Sequence, residues 1–482
     1  MPENQASSTP AVLVAVVRGG GPLQRQVEDQ LRAAIRDGRL VEGEPLPASR
    51  TLAADLGVSR GVVSDAYMQL AAEGWLLVTP RAAPRVAPTT RGSDPLTKRF
   101  RSEQAFSYEH VVEGSDPLIT RVVYDLRPGR PDLSRFPRAE WVRSLSAAVR
   151  AAGVAELDYP PIAGATRLRE VLAAYRGRVR GTLAGAEDVI LCAGAGQAFV
   201  TIAEALGPVK LAVEDPGHEG IRGLFAKRGL RPVPVRVDEA GVVVDELPDD
   251  ARAALLTPAH QFPTGAVLSA ERRAALLRWA QERDALIIED DYDAEYRYDR
   301  APIGALQGLR PDLVAHVGSV SKTLAPALRL GWLIAPPAWR DRFLEARASL
   351  DHGLPALEQF ALADFITRGA YDRHLRRSGR TYRHRRDALI AALTEALPGA
   401  TFSGAAAGLH IAVHVPGADE PALVEACREA GVVLDGITPH RVAPGPSGLL
   451  ISFAAVPDAG AGHVAELIAA ASGRFSPPEG DE

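Results

Sequence analysis

The segment "GSVSKTLAPALRLGW" at 318–332 sets a lysine between small hydroxyl residues, in a chain whose only other lysines are Lys98, Lys210 and Lys227. Arginine keeps its proton in a protein, whereas lysine can lose it, and a neutral amine attacks carbonyl carbon. Lys322 is therefore a candidate to hold an aldehyde as a Schiff base. A second segment, "ALIIEDDYDAEYRY", ends an apolar run with Asp290 and Tyr292, two residues apart and so able to face one side of an extended chain. A carboxylate there can pair with a pyridine nitrogen and keep it protonated, which makes the ring an electron sink, while a phenol contacts the ring oxygen. Ser319, Ser321 and Arg329 supply hydroxyls and a forked cation for a phosphate, and the amides of Ala195 and Gly196 open a helix at "GAGQAFVTIAEAL". Together these groups give pyridoxal 5'-phosphate a partner for each of its parts.

Such residues must stand at the ends of strands. The runs "VILCAGA", "KLAVEDP", "AALLTPAH", "ALIIEDDYD" and "LVAHVGSVSK" alternate with helical stretches such as "LSAERRAALLRWAQERDA". That spacing predicts strand-helix-strand units around a mostly parallel α/β sheet, with ligands at the carboxyl ends of the strands.

Residues 22 to 87 read differently. Leu23, Val27, Leu31 and Ile35 recur on one face of a helix closed at Gly38. In "LPASRTLAADLGVSRGVVSDAYMQLAAEGWLLV", Ser49 is expected to cap one helix, Gly57 to end it, and Ser59 to cap the next. Val62, Val63, Ala66 and Leu70 are expected to face inward, and "WLLVTP" with "RVAP" to form a two-stranded wing. Two short helices around a glycine turn make a helix-turn-helix candidate. Ser59, Arg60 and Ser64 are its candidate readers of a double-stranded DNA groove, and Arg50 a candidate phosphate contact. The boundaries expected are 1–90 for this unit, 91–120 for a Pro/Ser/Arg-rich linker, and 121–475 for the large domain.

Composition narrows the class. An apolar fraction of 46% and a charged fraction of 24% suit a globular chain, and a net charge of -5 excludes a uniformly basic coat, so DNA contact must be local. Cys192 and Cys427 lack disulfide-framework spacing, and "AVLVAVV" at 11–17 is too short for an anchor, so the expected location is the cytoplasm. A phosphate-loop reading of Ser-Lys-Thr fails because Ser321 stands where glycine is needed, and a calcium-loop reading of "DDYDAEY" fails at Tyr296.

"TPAHQFPTG", "EDDYDAEYRY" and "SVSKTLAPALRLGW", preceded by "LPASRTLAADLGVSRGVVSDAY", resemble the MocR/GabR family of regulators over nearly the whole chain. In that family a GntR-type winged helix is fused to a fold-type I aminotransferase-like domain with a smaller C-terminal subdomain. The resemblance implies Lys322 as the Schiff-base residue, His260 or Gln261 near the phenolic oxygen, and Tyr159 reaching the phosphate from the other subunit of a homodimer. Three departures stand out. His218 replaces the aromatic after "EDPG"; the wing reads "TPRAAPR" where glycines are usual; and Leu450 in "LLISF" occupies the place of the arginine that holds a substrate carboxylate, with Arg441 as its one potential substitute. The expected function is a cofactor-binding transcription regulator that senses a small amine or pyridoxal phosphate itself. The alternatives are a working aminotransferase and a regulator whose large domain only dimerises.

Overall fold

The computed structural model describes residues 14–17, 22–36, 39–41, 43–72, 75–78, 82–87, 123–298 and 303–473. The chain divides into two compact units, Met1–Ala105 and Phe106–Glu482. The expected linker at 91–120, the Gly38 cap and wing residues 79–81 lie outside the described residues.

In the first unit, helix α1 (Leu23–Arg36) buries Val27, Leu31 and Ile35, with Leu23 half-buried. Its Gln26 and Gln30 side chains, one turn apart, pair with the backbone of Val17 and Ala15, so part of the early apolar run packs on this core through Val14. Helix α2 (Ser49–Leu56) starts one residue earlier than expected: the Ala48 carbonyl accepts from Thr51 and Leu52, and the Ser49 side chain makes no cap bond. Gly57 ends it in the left-handed region at φ 65°, donating its amide to Ala53 and Ala54, as L side chains rarely can there. Helix α3 (Arg60–Ala72) follows directly after Ser59. Its inward stripe is Val63, Ala66, Tyr67 and Leu70, and the Tyr67 hydroxyl donates to the Pro47 carbonyl at 2.9 Å. Val62, expected inside, is half-buried, because the i, i+3, i+4, i+7 stripe starting at Val63 takes that face. Strands β1 (Leu76–Leu77) and β2 (Arg85–Val86) pair antiparallel as the expected wing.

The second unit opens with β3 (Tyr124–Asp125). Its main sheet contains β4 (Val189–Cys192), β5 (Lys210–Asp215), β6 (Arg231–Asp238), β7 (Gly241–Val242), β8 (Ala253–Leu256), β9 (Leu286–Asp290), β10 (Val314–Ser319) and β11 (Gly331–Ile334). The order is β4-β11-β10-β9-β8-β5-β6-β7, with only β11 and β7 opposed to the rest. The central strands read as unbroken apolar runs because helices cover both faces: β9 and β10 are buried at every residue. A smaller antiparallel sheet holds β12 (Thr401–Ser403), β13 (His410–His414), β15 (Asp435–Gly436) and β16 (Leu449–Ser452), while β14 (Val432–Val433) pairs in parallel with β3. Among the described residues, no helix is long and apolar enough to cross a membrane.

Candidate functional site

The carboxyl ends of β9 and β10 open into a cavity of about 370 Å³. Behind β9, the next residue Asp291 turns away into a buried network with Arg176 and Arg180, while Arg176 also meets Glu295 at 2.5 Å. Beside it, Glu289 accepts from the amides of Leu306 and Gln307 and lies 3.2 Å from His316. An ionised group this deep is costly unless paired, so these bonds fix the strand end. Asp290 and Tyr292 then face the cavity together, as their spacing predicts.

Asp290 Oδ1 is buried and lacks a hydrogen-bond partner among the described residues. Burial, with Asp291 adding repulsion, pushes its carboxyl up to about 8. Such a group is satisfied by a donor arriving with a ligand. Tyr292 Oη lies 3.0 Å from His260 Nδ1, and the same nitrogen lies 3.1 Å from an Asp293 oxygen. Burial raises the phenol well above its ordinary value, so it enters as a neutral hydrogen-bonding group.

Lys322 follows β10 and lines the cavity, its Nζ donating to the Gly129 carbonyl at 2.6 Å. Burial lowers the ammonium, against the pull of Asp293 and Asp290, and Arg130 lowers it further, which favours the nucleophilic amine. At the far end Ser319, Ser321 and Arg329 meet the start of the helix Ala195–Leu206, with Ala195 and Gly196 in the lining. Arg329 sits at φ 49°, an uncommon region for a side chain, and donates to the Ala193 carbonyl at 2.5 Å. Gly194 is required there: a Cβ on it would come within 2.9 Å of the guanidinium. Helix amides, two hydroxyls and a forked cation make an anion cradle.

His218 lines the cavity, caps the helix Glu219–Lys227 through Nδ1, and tilts against Phe262 at 5.3 Å between centroids. Burial, with His440 and Lys322 nearby, holds it neutral at about 3. His410 and His440 complete a wall around Phe262, held down at about 3 and about 4, in each case by burial above all.

Five residues singled out by the sequence stand apart from the lining. His260 is one layer behind, acting on Tyr292. The Gln261 amide donates to the carbonyls of Pro216 and Phe262, and its oxygen accepts from Thr264, so it braces its own loop and ties it to the one after β5. Tyr159 is 87% exposed in the single chain, so core packing does not account for it. Leu450 is fully buried with Ala412, Ile437 and Phe262, behind the cavity wall. Arg441 does not reach the cavity: its Nε donates to the Pro446 carbonyl, and Asp215 takes the next two amides, Val442 and Ala443.

Sequence reasoning missed Arg127, Arg130, Phe262, His410, Asp435 and His440, all of which line the cavity. For the arginines the available signal was the turn "RPGRPD", two cations around a Pro-Gly pair. Cys192 and Cys427 are buried with thiols raised to about 12 by burial, so neither is a nucleophile. In the reader, Arg50, Ser59 and Arg60 are exposed and Ser64 is half-buried.

The arrangement suits a planar heterocycle with a ring N–H toward Asp290, an oxygen toward Tyr292, an electrophilic carbon toward Lys322 and an anion in the cradle.

Residues 131–468 match the aminotransferase class I and II family, and residues 23–86 match the gntR family of bacterial regulatory proteins. The chain is 35% identical to the HTH-type pyridoxine biosynthesis transcriptional regulator PdxR of Corynebacterium glutamicum, across 80% of this chain and 82% of that one. It is 34% identical to the probable rhizopine catabolism regulatory protein MocR of Rhizobium meliloti, across 77% of each. Among solved structures, an archaeal alanine:glyoxylate aminotransferase superposes with a TM-score of 0.68 at 26% identity, covering 73% of this chain and 91% of that one. A kynurenine aminotransferase of Pyrococcus horikoshii shares the fold, with a TM-score of 0.70 at 23% identity over 78% of this chain and 96% of that one.

Proposed function

This chain belongs to the gntR-family transcription regulators of the MocR and PdxR type, a helix-turn-helix reader joined to an aminotransferase class I and II domain, and on that premise we propose that its large domain binds pyridoxal 5'-phosphate and senses a small amine or the cofactor itself. The cofactor supplies an aldehyde that bonds amines and a ring that withdraws electrons from them. In this reading Lys322 holds the aldehyde carbon, Asp290 the ring nitrogen, Tyr292 the phenolic oxygen, and Ser319, Ser321, Arg329 and the Ala195 and Gly196 amides the phosphate. His218 covers the ring, and Tyr159 completes the phosphate site across a homodimer. The reader spans 1–90, the linker 91–120 and the sensor 121–475. Arg60, with Ser59 and Ser64, faces base edges, Arg50 faces phosphate, and two readers address paired half-sites of double-stranded DNA.

The unpartnered Asp290 Oδ1 on the same cavity as Lys322 carries this reading, because a ring N–H is the donor that corrects its cost. The purified protein mixed with pyridoxal phosphate should develop a visible absorbance band, and borohydride should fix the cofactor mass on the peptide containing Lys322. In Lys322→Ala both signals should vanish; a reducible adduct persisting on another lysine would overturn the assignment.

The intact amine-binding set also fits a second reading, a turning-over aminotransferase. Leu450 argues against it, since an α-carboxylate entering on that side meets an apolar wall at a cost of several kcal/mol. A panel of common amino acids should give no sustained keto-acid release; many turnovers per site would establish the enzyme reading instead.

A further inference from the structure

A 27-residue helix of the large unit, Ala370–Ala396, has two faces of different character. Tyr371, His374, Ser378, Tyr382, Arg385 and Leu389 are buried and hold it to the domain. On the opposite side Arg373, Arg376, Arg377, Arg380 and Arg383 are exposed, with His384 beside them. Steps of three and four residues bring these cations to one stripe about 15 Å long. Arg135, half-buried in the turn Leu133–Arg135, adds to it: burial above all, then Arg377 and Arg135, hold His374 below its ordinary value.

The charge of the stripe is not neutralised. Nearby acids are engaged elsewhere, Asp372 by Arg178 at 2.8 Å, Asp387 by Arg386 at 2.6 Å and Asp458 by Arg385 at 2.8 Å. Arg373 gives one nitrogen to the Arg368 carbonyl, a bond that leaves its charge uncompensated. Among the described residues, the guanidiniums of Arg376, Arg377, Arg380 and Arg383 have no ion pair or hydrogen-bond partner. Like charges three and four residues apart oppose a helix, and Arg373 closes the first turn, where the helix dipole opposes a cation as well. Helix stability therefore does not account for the stripe, which stands out in a chain of net charge -5.

Its chemistry selects an occupant. No large apolar side chain of this helix is exposed, so the face lacks what the core of a protein interface or a bilayer would bury. A row of guanidiniums matches a row of phosphates: one strand of a duplex presents a phosphate about every 3.4 Å along its axis, so the stripe spans about four. The same chain carries a gntR-family reader at 23–86, and duplex DNA is the polyanion such a reader addresses. We propose that this face of the large unit is a second contact for the phosphate backbone of duplex DNA, adding affinity but no base preference to what the reader supplies. The inference rests on the DNA-binding reading of the first unit.

The test uses the full-length protein and a labelled mixed-sequence duplex of about 60 base pairs, with binding isotherms at several salt concentrations. Arg377→Gln combined with Arg380→Gln should reduce the slope of log affinity against log salt by about two, and weaken binding at low salt at least about tenfold. Arg376→Gln combined with Arg383→Gln, an independent pair on the same face, should do the same. Lysine at 377 and 380 should keep the slope, because a phosphate accepts a point charge. Arg236→Gln combined with Arg310→Gln makes the same change in total charge at arginines already paired with Glu246 and Asp312, and should leave the slope unchanged. Thermal midpoints of all variants should match wild type, and the reductions should add to that of Arg50→Ala. If wild-type protein binds no duplex at any salt concentration, the DNA-binding reading itself has failed. If it binds and both stripe pairs keep its slope, or if the Arg236 and Arg310 pair lowers the slope as much, the proposed contact is wrong. A loss confined to single-stranded RNA of the same length would give the face to RNA and overturn the proposal equally.

Discussion

The two units carry their candidate functional groups in opposite ways. In the reader, Arg50 and Arg60 are exposed on helices and Ser59 is exposed in the turn between them, and the core beneath them is a separate set of side chains. At the cavity of the large domain the candidate functional groups belong to the fabric: Asp290 ends a buried strand, and its neighbour Asp291 anchors a network of arginines. The difference predicts where function and stability separate. Reader substitutions should change binding and leave folding alone, whereas substitutions at the cavity should move both.

Asp290→Asn is the sharpest case and the largest effect. Cofactor affinity should fall by about a hundredfold or more, since a buried charged partner is removed from the ring nitrogen. Without cofactor, the same change should stabilise the protein at neutral and higher pH. The sign follows from the raised carboxyl, at about 8 when folded against an ordinary 3.8. Between those values the folded state binds more proton than the unfolded one, so stability falls as pH rises from about 4 to about 8 and levels off above. Below about 4 the group contributes nothing. Thermal midpoints of both cofactor-free proteins across that range should diverge as pH rises. Parallel curves would show that Asp290 is solvated, and would break the contrast between the units.

Next in size are the reader arginines. Arg60→Ala should weaken binding to the cognate site by about 1–3 kcal/mol and relax its sequence preference. Arg50→Ala should weaken all duplexes alike and reduce the salt slope by about one. Binding isotherms at several salt concentrations separate the two, and the thermal midpoint should not move. A drop in stability comparable to the loss in binding would mean that the reader's surface is as integral as the sensor's strand ends.

The same contrast explains what the sequence disclosed. Asp290, Ser319 and Lys322 were legible because each follows an apolar run, and strand ends in such sheets point at ligands. The reader was legible through helical periodicity and the Gly57 turn. Arg130 was not, because "RPGRPD" resembles any surface turn, and only the pairing of β3 with β14 and the Gly129–Lys322 bond bring it to the site. His410 and His440 come from the small sheet and its loop, far along the chain, with no motif around them. Gln261 and Arg441 have suitable chemistry, but surrounding loop carbonyls take up their donors. Residue type and spacing reveal groups set by one element; they are silent where several loops meet.

The smallest effect concerns the cap that moved by one residue. Sequence pattern makes Ser49 the N-cap of α2, a role whose loss costs about 1 kcal/mol. In the structure Ala48 holds that position, and the Ser49 hydroxyl makes no cap bond. Ser49→Ala should therefore change reader stability by no more than a few tenths of a kcal/mol, with alanine's better helix propensity offsetting what little is lost. At the other end of the helix, a Cβ on Gly57 meets nothing within 4 Å, so Gly57→Ala pays only for its φ of 65°, about 1 kcal/mol. Hydrogen exchange of the peptide covering 46–72 in the full chain reads both, because local opening of the reader is measured there without unfolding the large domain. A Ser49→Ala loss as large as that of Gly57→Ala would return the cap to Ser49, and would place a stability determinant one residue from Arg50, the candidate phosphate contact.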